Sequence, residues 1–239
     1  MSWIWQTIFY KPLFNLLIFI YNQVGDLGLA IIILTILLKL ILYPLSRQSL
    51  RSQRALQQLQ PKVEEIKKKY KDNKEKMSRE LMALYQQEKV SPFSSCLPLL
   101  IQLPFLFALY SVFRSGLSTN DFVGLYGFVA NPGAISDLFL GFWGLAKPNI
   151  ILAIVTGAFQ YWQAKMLISS KPAVLGQASK DEGLAASMNK QALYIMPIMT
   201  MVFGFTLPAG LMLYWLTNTV ITIIQQYLTF AKHDSEPVS

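Results

Sequence analysis

Polar and apolar positions in this chain fall into long blocks instead of alternating at the period of a surface helix. The longest uncharged block runs from Gln191 to Ala231, 41 residues without Asp, Glu, Lys or Arg. A soluble globule cannot cover such a stretch, because eighteen or more consecutive apolar residues read as a membrane span. The turn signal Pro208-Ala209-Gly210 splits it, predicting spans over 191–207 and 208–230 and a short tail over 231–239. Leu27 to Leu45 (LGLAIIILTILLKLILYPL) predicts an earlier span over 27–46 with one charge, Lys39. Pro92 to Phe113 is uncharged and predicts a span over 92–113, although Pro98 and Pro104 require neighbours to satisfy the carbonyls they free. Pro148 to Ala164, closed by Lys165, predicts another over 148–167. The expected fold class is all-α, a polytopic membrane protein with five transmembrane helices and a cytoplasmic helical hairpin.

That hairpin is the region 47–91, where composition reverses. Between Ser46 and Val90 lie twelve bases and six acids. Glu64 and Lys68, Glu65 and Lys69, Asp72 and Lys76, and Glu75 and Arg79 are acid-to-base pairs at i,i+4, which support exposed helix. Asp72-Asn73 is the expected turn. The first apolar run, Pro12 to Gly25, is 14 residues long and contains polar amides, so it is short for a span. With Trp3, Trp5, Phe9, Tyr10 and Tyr21 around it, residues 1–26 predict an interfacial, extracytoplasmic helix. A signal peptide is the competing reading, but no basic n-region precedes the run and no A-x-A site follows it. Residues 114–147 are Gly-rich and aromatic, broken by Asp121 and Asp137, and read as an extracytoplasmic loop with an interfacial segment. Residues 168–190 read as a polar cytoplasmic loop.

Composition narrows the function classes. Charged residues are 14% of the 239, against about 25% in soluble domains, and mean hydropathy is +0.38. One cysteine, Cys96, excludes an intramolecular disulfide framework and Cys-rich metal sites and reads as a packed thiol. One histidine, His233, makes histidine catalysis and histidine metal clusters poor readings. No phosphate-cradling GxxxxGK[ST] or GxGxxG motif is present. The formal net charge is +8. Placing the hairpin, the 168–190 loop and the tail on one side puts 17 bases there, counting Lys165, against three (Lys11, Arg114, Lys147) on the other. By the positive-inside rule this orients the chain N-out and C-in. No internal repeat is visible, which argues against inverted-repeat transporters.

Lys39 is the residue that demands explanation. It lies about 18 Å down a helix entered at Leu27, where a base costs about 3 kcal/mol on insertion scales. Two readings stay open: the stem snorkels to the cytoplasmic interface, or Lys39 faces a wet cavity and attracts anionic groups. Gln102, Gln160, Gln163, Thr217, Asn218 and Thr219 can line the same cavity, although each alone is as readily an interhelical hydrogen bond. No Asp or Glu lies in any predicted span, which disfavours a proton or cation path. The hairpin bases, Lys67, Lys68, Lys69 and Lys71 among them, fit either attraction to anionic lipid or a docking arm for a ribosome or nascent chain. Met196, Met199, Met201 and Met212 read as core filling or as an adaptable apolar surface.

The stretches LGLAIIILTILLKLILYPLSRQSLRSQ, CLPLLIQLPFLFALYSVFR and PAGLMLYWLTNTVITIIQQY together resemble the YidC/Oxa/Alb family of membrane protein insertases, over about Gly25 to Phe230. The resemblance implies five core spans, N-out, in a bacterial inner membrane. The spans would enclose a hydrophilic groove open to the cytoplasm and to lipid, closed on the outside. It implies that a base in the first span draws in a substrate's polar leading segment while the apolar segment passes into lipid, without ATP, a cofactor or enzymatic chemistry. Lys39, Gln163 and Trp215 match the family's groove positions and Gln160 is their neighbour; with Gln102 and Asn218 from the spans they make up the expected substrate-binding groove. Implied partners are nascent membrane proteins, the lipid bilayer, the Sec translocon and the ribosome, with no sequence-specific nucleic acid. One departure matters: the family's groove base is usually Arg, and Lys39 lacks the fork that grips carboxylates in a bidentate manner. The tail is too short to resemble the long basic ribosome-binding tails of some members. The rival classes are a small channel or transporter for an anionic solute, and a chaperone that packs spans without inserting them.

Overall fold

A computed structural model describes residues 3–91, 97–114, 124–167 and 191–233. Cys96, Asp121, the 168–190 loop and the end of the tail lie outside the described residues. The described residues are mostly helical. One turn at Trp3–Trp5 and a π-helical turn at Gln6–Tyr10 lead into α1 (Lys11–Val24), followed by α2 (Leu27–Ile41), α3 (Tyr43–Gln58), α4 (Gln60–Lys69) and α5 (Lys74–Gln87). Next come α6 (Leu97–Arg114), a small hairpin β1 (Leu138–Phe139) and β2 (Trp143–Gly144), then α7 (Ile150–Leu167). A second π-helical turn, Gln191–Ile195, opens α8 (Met196–Gly204), and α9 (Ala209–His233) closes the described chain.

The amphipathic face of α1 explains why its 14 residues belong to the bundle. Phe14, Leu17, Ile18 and Tyr21 are buried and join one core with Leu27, Ala30, Ile31 and Leu34 of α2, Leu109 and Val112 of α6, and Leu211 to Tyr214 of α9. The run that sequence assigns to the interface therefore packs one side into the core. Gly25, at φ 70°, ends α1 in the left-handed region, and Asp26 then caps α2 by accepting from Leu29 N at 2.9 Å.

Three tethers gather the starts of α2, α7 and α9 at one end of the molecule. Asp26 Oδ2 accepts from Leu140 N at 2.6 Å. Lys147 O and Leu145 O accept from Ala209 N and Gly210 N, each at 3.0 Å. Gly210 is needed for this closure, because a Cβ there would enter the Phe113 ring at the end of α6. The 124–147 segment is held over the same end. Asn15, 2% exposed, donates to Gly124 O at 3.1 Å and accepts from Tyr126 N at 2.6 Å. Asn22 donates to Ala130 O, and Tyr21 OH accepts from Ser136 N. Replacing Asn15 with Leu would strand the Tyr126 N–H, so Asn15→Leu is expected to destabilise the protein by about 1–3 kcal/mol, read as a lower unfolding midpoint in detergent.

At the opposite end the chain turns sharply. The apolar stretch predicted over 27–46 is interrupted at Leu42, and α2 meets α3 at a bend of 71°. Pro44 in the first turn of α3 accounts for the break, since it has no N–H to bond the Leu40 carbonyl and its ring crowds that carbonyl. The arms α4 and α5 close on Leu59, Val63 and Leu84, joined by Lys62 Nζ–Glu88 Oε1 at 2.6 Å. Their turn falls at Asn73, whose side chain caps α5 by accepting from Lys76 N. Of the four i,i+4 pairs, Glu75–Arg79 forms an ion pair at 2.6 Å, well exposed, and contributes little to stability.

Among the described residues no single helix is long and apolar enough to cross a membrane, while the bent pair α2 and α3 passes by length and composition. The reason is local. α2 has 15 residues and α8 nine, whereas α7 and α9 are longer but carry Gln160, Gln163, Gln225 and Gln226.

Candidate functional site

Lys39 belongs to the inward stripe of α2. Leu27, Ile31 and Thr35 precede it at four-residue steps and are at most 1% exposed, and residues four apart share a helix face. Leu40 and Ile41, by contrast, are 63% and 70% exposed. The Lys39 ammonium is aimed at α9, where it donates to Thr222 Oγ1 at 2.8 Å. Thr222 Oγ1 in turn donates to the Asn218 carbonyl at 2.7 Å. The two helices start together, and Lys39 and Thr222 lie twelve and thirteen residues into them, so the contact sits about 18–20 Å from that end. The base therefore turns towards α9 from the last turn of α2.

The other predicted positions are arranged around α9. Gln102 Nε2 on α6 donates to Tyr214 OH at 2.6 Å, and Tyr214 is 5% exposed. Trp215, half-buried, packs against the core from the next position. On α7, Gln160 carries a buried Oε1 with no hydrogen-bond partner, and Gln163 is half-buried one turn further on. The helices α7 and α9 run side by side, with Thr156 Oγ1 at 3.4 Å from Met212 O. Lys39 thus meets Thr222, which is back-bonded to the Asn218 carbonyl one turn earlier on α9, while Gln102 is engaged by Tyr214 instead. A double-mutant cycle of Tyr214→Phe and Gln102→Leu is expected to return a coupling of about 1 kcal/mol in detergent unfolding.

Sequence reasoning overlooked the deepest polar groups. Gln225 and Gln226 of α9 are 7% and 0% exposed, yet Gln225 Oε1 and both amide atoms of Gln226 lack hydrogen-bond partners, as does Gln57 Oε1 on α3. Ser49 of α3, 1% exposed, is also buried. Buried amides without partners are uncommon in native proteins. Two adjacent Gln residues inside an uncharged 41-residue block were the available signal.

On the hairpin, Lys67, Lys68 and Lys69 fill the last turn of α4, where cations complement the helix dipole. Lys69 and Lys76 both sit over the Tyr70 ring, at 5.5 and 5.2 Å from its centroid, and Lys71 is exposed beside them. Arg54 of α3 stacks on Phe230 of α9 at 4.8 Å, which ties the hairpin's base to the end of the bundle.

The described residues thus set one cation and several neutral amides between helices whose outer faces are largely apolar. Such a set can attract an anionic or strongly polar segment. The sequence profile of the 60Kd inner membrane protein family matches residues 19–236. The chain is 36% identical over 231 residues to the membrane protein insertase YidC of Fusobacterium nucleatum subsp. nucleatum, covering 95% of this chain and 99% of the relative. It is 37% identical over 226 residues to the membrane protein insertase YidC of Mannheimia succiniciproducens, of which it spans 37%. Among solved structures it is similar to an active YidC insertase crystal structure with the first transmembrane domain resolved, at TM-score 0.60 and 28% identity, over 96% of this chain and 47% of the other. This chain belongs to the 60Kd inner membrane protein family.

Proposed function

We propose that this chain is a membrane protein insertase that receives the polar leading segment of a nascent membrane protein at Lys39 and releases the apolar segment sideways into lipid. The observation that carries the reading is the Lys39–Thr222 contact, which joins the last turn of α2 to the middle of α9, in two helices that contain no acidic side chain. The relatives named as insertases support it, one of them matched over nearly its whole length.

The proposed topology is five spans, N-out and C-in, in a bacterial inner membrane. The spans are α2, α6, α7, the α8 helix with its π-helical turn, and α9. Support comes from the 17-to-3 division of bases and from the shared end at which α2, α7 and α9 begin. Short or amide-bearing helices suit such a bundle, because a polar cleft thins the hydrocarbon that a substrate tail must cross. The drive comes from burying the substrate's own span in lipid, and the membrane potential adds about 2.3 kcal/mol per acidic charge per 100 mV. No nucleotide is required. The exposed bases of α4 and the following turn, Lys67 to Lys71, provide the docking arm for a ribosome or nascent chain, and the Sec translocon is a further partner.

The test is insertion of a single-span substrate with an acidic N-tail into vesicles holding the purified protein alone. The tail is expected to become protected from external protease above the level of empty vesicles. Protection no greater than in empty vesicles would reject autonomous insertion and favour a chaperone, and a solute-dependent current would favour a channel.

A further inference from the structure

The β1–β2 hairpin has a constructed, one-sided exposure that the cleft does not use. Leu138 pairs with Gly144 and Phe139 with Trp143, and the tip is Leu140-Gly141, both at positive φ, 52° and 79°. Hairpin turns of this hand favour Asn, Asp or Gly at both central positions, so a leucine there is an unfavourable choice for a turn in water. The hairpin's inner face is fastened. The Phe139 side chain lies so close to α2 that a Cβ on Gly28 would enter its ring, and Asp26 Oδ2 accepts from Leu140 N at 2.6 Å.

The outer face is apolar and open. Leu140 is 55% and Phe142 70% exposed, the Phe142 and Trp143 rings stack at 5.7 Å, and no charged residue occurs from Leu138 to Ala146. The exposed aliphatic surface continues along the starts of the neighbouring helices, through Leu29 of α2 and Ile150, Ile151 and Ile154 of α7. In an inner membrane family that surface faces lipid. Aromatic and aliphatic side chains on a fixed turn at the end of such a surface match the headgroup–acyl boundary.

We infer that the Leu138–Gly144 hairpin is a lipid anchor, its Leu140 and Phe142 side chains seated in the outer-leaflet interface, holding the capping segment over the end of the bundle where α2, α7 and α9 begin. The inference rests on the proposed N-out topology, but not on insertion activity. A spin label on Phe142→Cys, in a Cys96→Ser background and in phosphatidylethanolamine–phosphatidylglycerol vesicles, tests it by collision with oxygen and with a water-soluble nickel chelate. Lys71→Cys serves as the aqueous reference. The expected result is a shift at position 142 towards oxygen and away from nickel relative to position 71. Nickel access equal to that at position 71 would overturn the inference, and exclusion of both reagents would overturn it in favour of a protein-covered face. Leu140→Cys provides an independent reading if Phe142→Cys does not fold. Insertion measured on the same vesicles separates failure of the anchor from failure of the insertase reading.

Discussion

Lys39→Ala is expected to lower the insertion of an acidic-tailed, single-span substrate by about tenfold to a hundredfold. The estimate follows from a charge-assisted hydrogen bond of about 1.5–3 kcal/mol, at about 1.4 kcal/mol per decade. The ammonium is the one cation between Leu27 and Ile41, and Thr222 holds it towards α9. Lys39→Arg should retain activity, because a guanidinium also supplies a fixed positive charge and grips carboxylates more firmly. A substrate with a neutral polar tail should lose much less on Lys39→Ala. Initial rates of protease-protected tail for each variant check all three outcomes, and equal rates for wild type and Lys39→Ala would remove the cation from the mechanism.

Gln226→Leu should act in opposite directions on stability and insertion. Both amide atoms of Gln226 are buried without partners, and an unsatisfied buried polar group costs about 1–3 kcal/mol. Leucine of similar size removes that cost, so the unfolding midpoint in detergent is expected to rise. Insertion should fall, since the cleft loses polarity beyond Thr222 on α9. Such a trade between stability and activity is the usual mark of a functional polar group. A lower midpoint for Gln226→Leu would instead assign the amide a structural role.

Much of the helical layout was legible in the alternation of charged and uncharged blocks. The turn at Asn73 and the start of α9 after Pro208 both follow from local signals, a capping side chain and a proline. The break at Leu42 was also written in the chain, as Tyr43-Pro44, but the continuing apolar run through Leu45 masked it. The direction of Lys39 was harder to see. In a membrane helix the lipid side and the packed side are equally apolar, so Leu27, Ile31 and Thr35 do not announce themselves as the inward stripe until their burial is known. The 14-residue run that forms α1 posed the same difficulty. Its length suggested a surface element, while Asn15, which holds the capping segment, resembled an ordinary polar interruption.

The cleft itself was partly visible. Lys39 meets α9 through Thr222, a residue that blends into the run TNTVITII and carries no distinguishing spacing. Gln102 points to Tyr214, whose hydroxyl could not be placed without the packing of α6 on α9. The Lys39 contact with a threonine hydroxyl needs only a point charge, which an ammonium supplies.

A photo-crosslinking amino acid at Asn218, beside the Lys39–Thr222 contact, should be followed during insertion into vesicles, with the same probe at the exposed Leu228 as its counterpart. If the cleft receives the leading segment, early adducts at Asn218 will form with the substrate's polar tail, and later ones with its apolar segment will dominate at Leu228. Tail adducts that are missing at Asn218, or equally frequent at Leu228, would mean that the substrate crosses without entering the cleft.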